Sequence, residues 1–158
     1  MIVLGIDPGI RNTGLALVDT SKRVRRAFSV FNKRGDWYDM ASIVGPTIEL
    51  MKFDRAVLES VGYYGPRKGM YQLNRLVGAI WYSLFGLLDP TDIQLMMPNQ
   101  KVKLTKTQES YAASEHSKDA ISLAIAGINY WKTKETQTPN ATRSNKSRRK
   151  TTANVNIS

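Results

Sequence analysis

Two short apolar runs that each end in an acidic residue constrain the fold of this 158-residue chain most strongly. The first is Ile2 to Asp7, which Pro8-Gly9 follows, and the second is Ala56 to Glu59. Short apolar runs bounded by turn residues predict buried strands. Taken alone, Asp7 is explained as well by a structural role, capping a turn, as by a functional one. The same holds for Glu59, which alone is as well explained as an exposed carboxylate at a strand end. On adjacent parallel strands, however, both acids would face one crevice at the carboxyl edge of a sheet.

The rest of the first 131 residues alternates between strand-like and helix-like patterns. Apolar runs and period-two alternation predict three further strands, at residues 14–18, 25–32 and 93–97. Apolar residues at helical spacing predict helices at residues 37–52, 67–88 and about 117–131. We expect an antiparallel meander of three strands followed by strands that alternate with helices. This order predicts an α/β protein with a mixed sheet of five strands flanked by helices.

The last predicted helix begins with a third group of polar residues. His116 and Asp119 are three residues apart, so both project from one face of the helix. Glu115 lies four residues before Asp119 and competes with His116, and spacing alone does not choose between them. The helix dipole also favours an acid at this end without any function. Together with Asp7 and Glu59, these side chains predict a site for Mg²⁺ or Mn²⁺, which prefer hard oxygen ligands.

Composition narrows the class of partner. The chain has 23 basic and 13 acidic residues, a net charge of +10, which favours a polyanion such as nucleic acid or an anionic membrane surface. No stretch reaches the roughly 18 apolar residues of a membrane span. Because Asp7 interrupts the first apolar run, no signal peptide is predicted, and we expect a cytoplasmic protein. The absence of cysteine excludes thiol chemistry.

Charge and hydropathy divide the chain in two. From Lys132 onward there are seven basic residues and one acidic residue, and residues 133–158 contain almost nothing apolar. Such a segment buries too little surface to fold, so we predict a folded domain at 1–132 and a disordered basic tail at 133–158. The tail either adds non-specific phosphate contacts or is a solvated terminus, and the sequence favours neither.

Three motifs, taken together and in this order, resemble those of the RuvC family of Holliday junction resolvases. They are Gly5-Ile6-Asp7-Pro8-Gly9-Ile10-Arg11-Asn12-Thr13-Gly14, Val57-Leu58-Glu59 and His116-Ser117-Lys118-Asp119-Ala120-Ile121-Ser122-Leu123-Ala124. The resemblance covers roughly residues 2–131. It implies an RNase H-like fold and a homodimer that cuts four-way DNA junctions by paired symmetric nicks. It also implies that two Mg²⁺ or Mn²⁺ ions are held by catalytic residues Asp7, Glu59, Asp119 and His116, the last preferred over Glu115.

The resemblance also suggests which residues contact DNA and which contact a second subunit. The family inserts an aromatic residue into the junction after the second motif, so Tyr63 or Tyr64 would stack on a base, with core packing as the alternative. The other predicted DNA contacts are the basic residues Arg11, Lys101, Lys103, Lys106 and Lys118. An apolar stripe from Met70 to Leu84 is predicted to meet the partner subunit or to cover the sheet, and because the stripe is wide both can hold.

One departure from the family bears on function. Only 21 residues separate Pro98 from Asp119, fewer than in the cellular enzymes, so one family helix is cut or missing. This compact form is similar to phage-encoded members, which would act in the cytoplasm of a bacterial host. The alternatives are a broader branched-DNA or flap nuclease, a YqgF-like RNA-processing nuclease, and a non-catalytic binding module. Retention of all three carboxylates argues against the binding module, since carboxylates repel phosphates.

Overall fold

The computed structural model describes residues 1–60 and 69–137. The strands are β1 (Ile2–Asp7), β2 (Asn12–Asp19), β3 (Val24–Phe31), β4 (Arg55–Glu59) and β5 (Ile93–Met96). The helices are α1 (Trp37–Glu49), α2 (Met70–Phe85), α3 (Lys106–Glu109) and α4 (Glu115–Gln137), with one-turn 3₁₀ helices at Pro90–Asp92 and Pro98–Gln100. None of the helices in these described ranges has the length and apolar character needed to cross a membrane.

The five strands form one mixed sheet in the order β3-β2-β1-β4-β5. Strand β2 runs antiparallel to both β1 and β3, whereas β1, β4 and β5 run parallel. Ile6 pairs with Leu58 in the β1–β4 register, so Asp7 and Glu59 follow at neighbouring positions on the same edge. The predicted sheet is therefore confirmed, including the parallel arrangement that brings the two acids together.

Helix α4 covers one face of the sheet at unusually short range. A Cβ atom at Gly5 would lie 2.0 Å from the carbonyl oxygen of Ala120, and one at Gly14 would lie 1.9 Å from that of His116. Only glycine leaves room for the helix backbone at these two points. The two glycines of β1 and β2 therefore let the first turns of α4 lie directly on the sheet.

Helices α1 and α2 cover the opposite face of the sheet. Met40 and Val44 of α1 are buried together with Leu76, Ile80 and Leu84 of α2. The latter three belong to the apolar stripe predicted from Met70 to Leu84. That stripe therefore packs against the core of its own subunit, which was one of its two predicted roles.

The end of α4 lies beyond the predicted domain boundary. The prediction placed a disordered tail from residue 133, but α4 continues to Gln137, so residues 133–137 are helical and this part of the prediction was wrong. The extra turn is held by Arg55, which donates to Glu135 at 3.2 Å and stacks 5.0 Å from the Trp131 ring. Residues 138–158, the rest of the predicted tail, lie outside the described residues, and their disorder stays a prediction.

Candidate metal and catalytic site

Three elements bring acidic side chains to the carboxyl edge of the parallel strands. Asp7 ends β1 and is buried, and Glu59 ends β4 with 13% of its side chain exposed. Asp119 lies in the second turn of α4, with 42% of its side chain exposed. The sheet register and the close approach of α4 thus assemble residues that are 52 to 112 positions apart in the chain.

The ammonium group of Lys101 lies between the three carboxylates. Its Nζ atom is 3.3 Å from Oδ1 of Asp7, 3.2 Å from Oε1 of Glu59 and 2.7 Å from Oδ2 of Asp119. The Lys101 side chain is 21% exposed, so the three ion pairs are partly shielded from water. One cation therefore bridges all three predicted metal-binding carboxylates.

A serine in α4 holds the backbone beside Lys101 in place. The amide of Val102 donates to the Ser122 hydroxyl at 2.7 Å, and that hydroxyl donates to the Val102 carbonyl at 2.6 Å. Ser122 lies three residues after Asp119, so one helix fixes both partners of the shortest ion pair. Sequence reasoning missed Ser122, although a serine inside the apolar run Ile121-Ser122-Leu123 is the signal that would have indicated a buried polar contact.

The crowded negative charge changes the protonation of the site. Burial and the neighbouring carboxylate of Asp7 raise the pKa of Glu59 to about 8, against which the charge of Lys101 acts only in part. Burial disfavours the charge on Lys101, but the hydrogen bond to Asp119 and the charges of Asp7 and Glu59 outweigh it and raise the pKa of Lys101. The site therefore favours the protonated form of Glu59 and the charged form of Lys101.

His116 contacts the carboxylate oxygen of Asp7 that does not face Lys101. Its Nδ1 atom lies 2.5 Å from Oδ2 of Asp7, whereas Oδ1 of Asp7 faces Lys101. The imidazole is 41% exposed, so the rest of the ring is reachable from solvent. Glu115 is exposed, and its described interactions do not include Asp7, Glu59 or Asp119. The structure therefore places His116, and not Glu115, against the predicted carboxylates.

The donor set fits a hard divalent cation in its chemistry. Three carboxylates and one imidazole meet here, and the carboxylates already share one positive charge at 2.7–3.3 Å. Within residues 1–60 and 69–137, however, no three acidic, histidine or cysteine side chains are grouped as they stand to hold a metal ion. In this arrangement the Lys101 ammonium is the cation that contacts all three acids.

The other predicted DNA contacts are exposed, are paired with an acid, or lie outside the described residues. Lys103 and Lys106 are exposed on the segment that leads into α3. Lys118 pairs with Glu109 at 3.1 Å, and that contact raises the pKa of Lys118. Arg11 is exposed in the β1–β2 turn, where its side chain packs against the backbone of Gly35. Tyr63 and Tyr64 lie outside the described residues, so their predicted stacking role is not placed.

Comparison with solved structures identifies the arrangement of strands and helices. Thermus thermophilus RuvC in complex with a Holliday junction substrate matches this chain with a TM-score of 0.68 at 18% identity, over 84% of this chain and 96% of RuvC. This chain has the RuvC fold. A second structure of Thermus thermophilus RuvC matches with a TM-score of 0.65 at 17% identity, over 85% of this chain and 97% of RuvC.

These matches confirm the RNase H-like fold that the motif resemblance to RuvC implied. No protein-family model matches the sequence, and no curated protein sequence matches it. The likeness to RuvC is thus one of fold at low sequence identity. The roles of the site residues are therefore inferred from the side chains of this chain and not from the fold likeness.

Proposed function

We propose that this protein is a metal-dependent, structure-selective DNA endonuclease that resolves four-way junctions by paired symmetric nicks. One observation carries the proposal: Asp7, Glu59 and Asp119 converge on a single cation at the carboxyl edge of a RuvC-like sheet. A module that only bound nucleic acid would gain nothing from three carboxylates beside a phosphate. The RuvC structure of the same fold was solved with a Holliday junction substrate, which supports branched DNA as the substrate.

In this proposal Asp7, Glu59, Asp119 and His116 hold two Mg²⁺ or Mn²⁺ ions. When bound, such ions activate a water molecule and stabilise the leaving oxygen of a phosphodiester. Asp7 orients the His116 ring through Nδ1, which leaves Nε2 facing outward for a ligand or a proton. Glu59 would hold an ion through its ionised carboxylate, with the proton released to solvent. The imidazole and Asp119 are the members of the set most open to a substrate phosphate.

Exposed basic side chains give the DNA a path past the site. Arg11 lies beyond the end of β1, while Lys103 and Lys106 precede or begin α3. Lys103 follows Lys101 by two residues and Arg11 follows Asp7 by four, so these exposed charges are close in sequence to the site and are proposed to contact phosphates of the DNA. Lys118 is paired with Glu109 and would have to exchange that partner for a phosphate.

The outward face of α2 is the proposed contact with a second subunit. Exposed positions on this helix recur at intervals of four, three, four and three residues, the spacing of a helix-to-helix seam, at Tyr71, Arg75, Gly78, Tyr82 and Phe85. Tyr82 is 81% exposed, Tyr71 65% and Phe85 42%. Gly78 at the centre of the stripe has open space around its Cβ position, so two such helices can approach closely there. Such a dimer would place two sites on one junction.

The test is a cleavage assay with Mg²⁺ on a synthetic four-way junction whose four arms carry distinct end labels. Linear duplex, a flap, single-stranded DNA and an RNA-containing junction are compared at equal concentration. We expect paired, symmetrically placed nicks in the four-way junction, lost in Asp7→Asn and Asp119→Asn. The matched control is Glu115→Gln, which neutralises an exposed acid one turn before Asp119 in α4 and should cut like the wild type.

Each other outcome changes the assignment. Equal cutting of flaps and junctions would replace the proposal with a general branched-DNA nuclease. Preferred cutting of the RNA-containing substrate would favour an RNA-processing nuclease. Tight junction binding without any cleavage would leave a binding module, and cleavage at full rate by Asp7→Asn would refute the assigned site.

A further inference from the structure

The position of Lys101 raises a question that the proposed nuclease chemistry does not answer. Its ammonium contacts Oδ1 of Asp7, Oε1 of Glu59 and Oδ2 of Asp119, one oxygen from each acidic element. A divalent ion bound by the same carboxylates needs oxygens at about 2.0–2.6 Å. The ion and the Nζ atom would then stand within a few ångströms of each other as like charges in a partly buried site, where they repel strongly. Both cannot remain.

The side chain of Lys101 is suited to leave. Lysine carries its charge on a flexible four-carbon stem, and 21% of this side chain already reaches solvent. The backbone need not follow, because Val102 is fastened to Ser122 through both its amide and its carbonyl. The ammonium can therefore swing out of the carboxylates while its attachment point stays beside Asp119.

The three carboxylates also need a cation when no metal is present. Without Lys101, three acids from β1, β4 and α4 would face one another with no cation between them in a site where burial already disfavours charge. The ammonium thus holds the carboxylates together in an arrangement close to the one that a metal requires. This role differs from a direct phosphate contact, which would place the ammonium outside the acids.

We propose that Lys101 is an exchangeable internal counter-ion that occupies the site in the metal-free protein, is displaced when divalent ions bind, and is then free to pair with a phosphate of the DNA. This inference rests on the proposed function, since it takes Asp7, Glu59 and Asp119 as metal ligands. It makes Lys101 a positioning residue in the metal-free state. It predicts that the metal-free and metal-bound proteins differ at this side chain before any substrate is added.

Metal affinity tests the competition directly. Mn²⁺ binding is followed by the electron paramagnetic resonance signal of the free ion, without DNA, for the wild type, Lys101→Met and Lys52→Met. Lys52 is an exposed lysine just before β4, at the opposite edge of the parallel strands, so it controls for the loss of one positive charge. We expect Lys101→Met to bind Mn²⁺ about tenfold more tightly than the wild type, and Lys52→Met to bind like the wild type. Equal affinity in all three proteins would overturn the inference.

A second measurement follows the Lys101 side chain in the wild type and uses a variant only to assign its signal. Ammonium groups held in ion pairs give nitrogen-detected lysine side-chain resonances, and the Lys101 signal is assigned by its loss in Lys101→Arg. We expect this signal to vanish or to take the position of a solvated lysine when Mg²⁺ is added. A signal that persists unchanged in protein saturated with Mg²⁺ would overturn the exchange. If the wild type binds neither ion, both this inference and the metal-dependent function fail, whereas metal binding with an unmoved Lys101 refutes the inference alone.

Discussion

The Nδ1 atom of His116 lies 2.5 Å from Oδ2 of Asp7 and joins the start of α4 to the end of β1. Asp7 therefore uses one oxygen to orient an imidazole and the other to face the shared cation. An imidazole that is fixed by a carboxylate at one nitrogen presents the other nitrogen in a defined direction. This pairing makes His116 the residue of the site whose removal should be most informative.

Replacing His116 by Ala should lower junction cleavage by about 100-fold, because outer-shell and ligand partners of metal sites contribute on that order. Single-turnover cleavage rates at saturating enzyme measure the effect apart from DNA affinity. His116→Asp should keep more activity than His116→Ala and show a different pH profile, because a carboxylate replaces the imidazole. Glu115→Ala is the control, and a loss there equal to that of His116→Ala would contradict the placement of the two side chains.

The raised pKa of Glu59 predicts how the metal-free protein responds to pH. The pKa of Glu59 is about 8 in the folded protein, against an ordinary value of 4.5, so the folded state binds this proton more tightly than the unfolded state. The resulting stabilisation of the fold is complete below pH 4.5 and is lost as the pH rises through 8. We expect the free energy of unfolding without metal to fall by roughly 3–4 kcal/mol between pH 5 and pH 8 through this group. Denaturant unfolding of the wild type and Glu59→Gln isolates it, because the fall should be smaller in the variant. Parallel curves for the two proteins would refute the prediction.

Saturating Mg²⁺ should weaken the same pH dependence, because a bound cation favours the ionised carboxylate. Calorimetric titration of Mg²⁺ at pH 7 in two buffers of different ionisation enthalpy should then reveal proton release. The release should be absent in Glu59→Gln.

Replacing Gly14 by Ala should displace the first turn of α4 and with it the site, although Gly14 is not itself a site residue. The added Cβ atom would meet the His116 carbonyl at 1.9 Å, so the first turn of α4 must move away from the sheet. We expect a loss of about 1–3 kcal/mol in unfolding free energy, the range for overpacked interiors, together with a loss of metal affinity. Gly86→Ala is the control, since its Cβ atom would meet nothing closer than 3.4 Å. Wild-type metal affinity in Gly14→Ala would contradict the role given to this contact.

Replacing Tyr82 by Glu should convert the proposed dimer into a monomer. Tyr82 is 81% exposed on the outward stripe of α2, and a charge there would be buried between two subunits. Light scattering coupled to size exclusion measures the mass with and without the change. Tyr38→Glu alters a tyrosine that is 67% exposed on α1 and should leave the mass unchanged. A wild-type protein that is monomeric at all concentrations would remove this interface.

Truncation after Gln137 should weaken DNA binding and reduce its dependence on salt. The removed residues carry five basic side chains and no acidic one, and each lost phosphate contact lowers the salt slope by roughly 0.9 on duplex DNA. Junction affinity is measured between 50 and 200 mM salt. A truncation after Lys132 would also remove Glu135, the partner of Arg55, and is therefore the wrong control for charge alone. An unchanged salt slope would show that the tail does not contact phosphates.

The sequence predicted the sheet and the three acids because both are local patterns. Apolar runs ending in Asp7 and Glu59 indicate strand ends, and parallel strands place their carboxyl ends together. The choice of His116 over Glu115 came only from the family resemblance, since both lie near one helix start and only the rotation of α4 on the sheet separates them. That rotation depends on contacts of the α4 backbone with Gly5 and Gly14, which no local pattern records.

Two features could be found only from the folded structure. Lys101 was predicted as a phosphate contact, but its place between the acids depends on a turn at Pro98–Gln100 and on the hydroxyl of Ser122, 20 residues away. The predicted end of α4 was too early in the chain, because the last turn of the helix has no apolar pattern of its own. It is held instead by Arg55 of β4, a tertiary partner that periodicity does not reveal.

The contact of α4 with β1 and β2 has a consequence for how such a chain can change over generations. The helix meets the sheet through main-chain atoms at Gly5 and Gly14, so a side chain added at either position would push the first turns of α4, which carry His116 and Asp119, away from the sheet. We therefore expect substitutions at these two glycines to be tolerated less well than substitutions on the exposed positions of α4. At 18% identity with Thermus thermophilus RuvC, this chain has the same fold over 84% of its length.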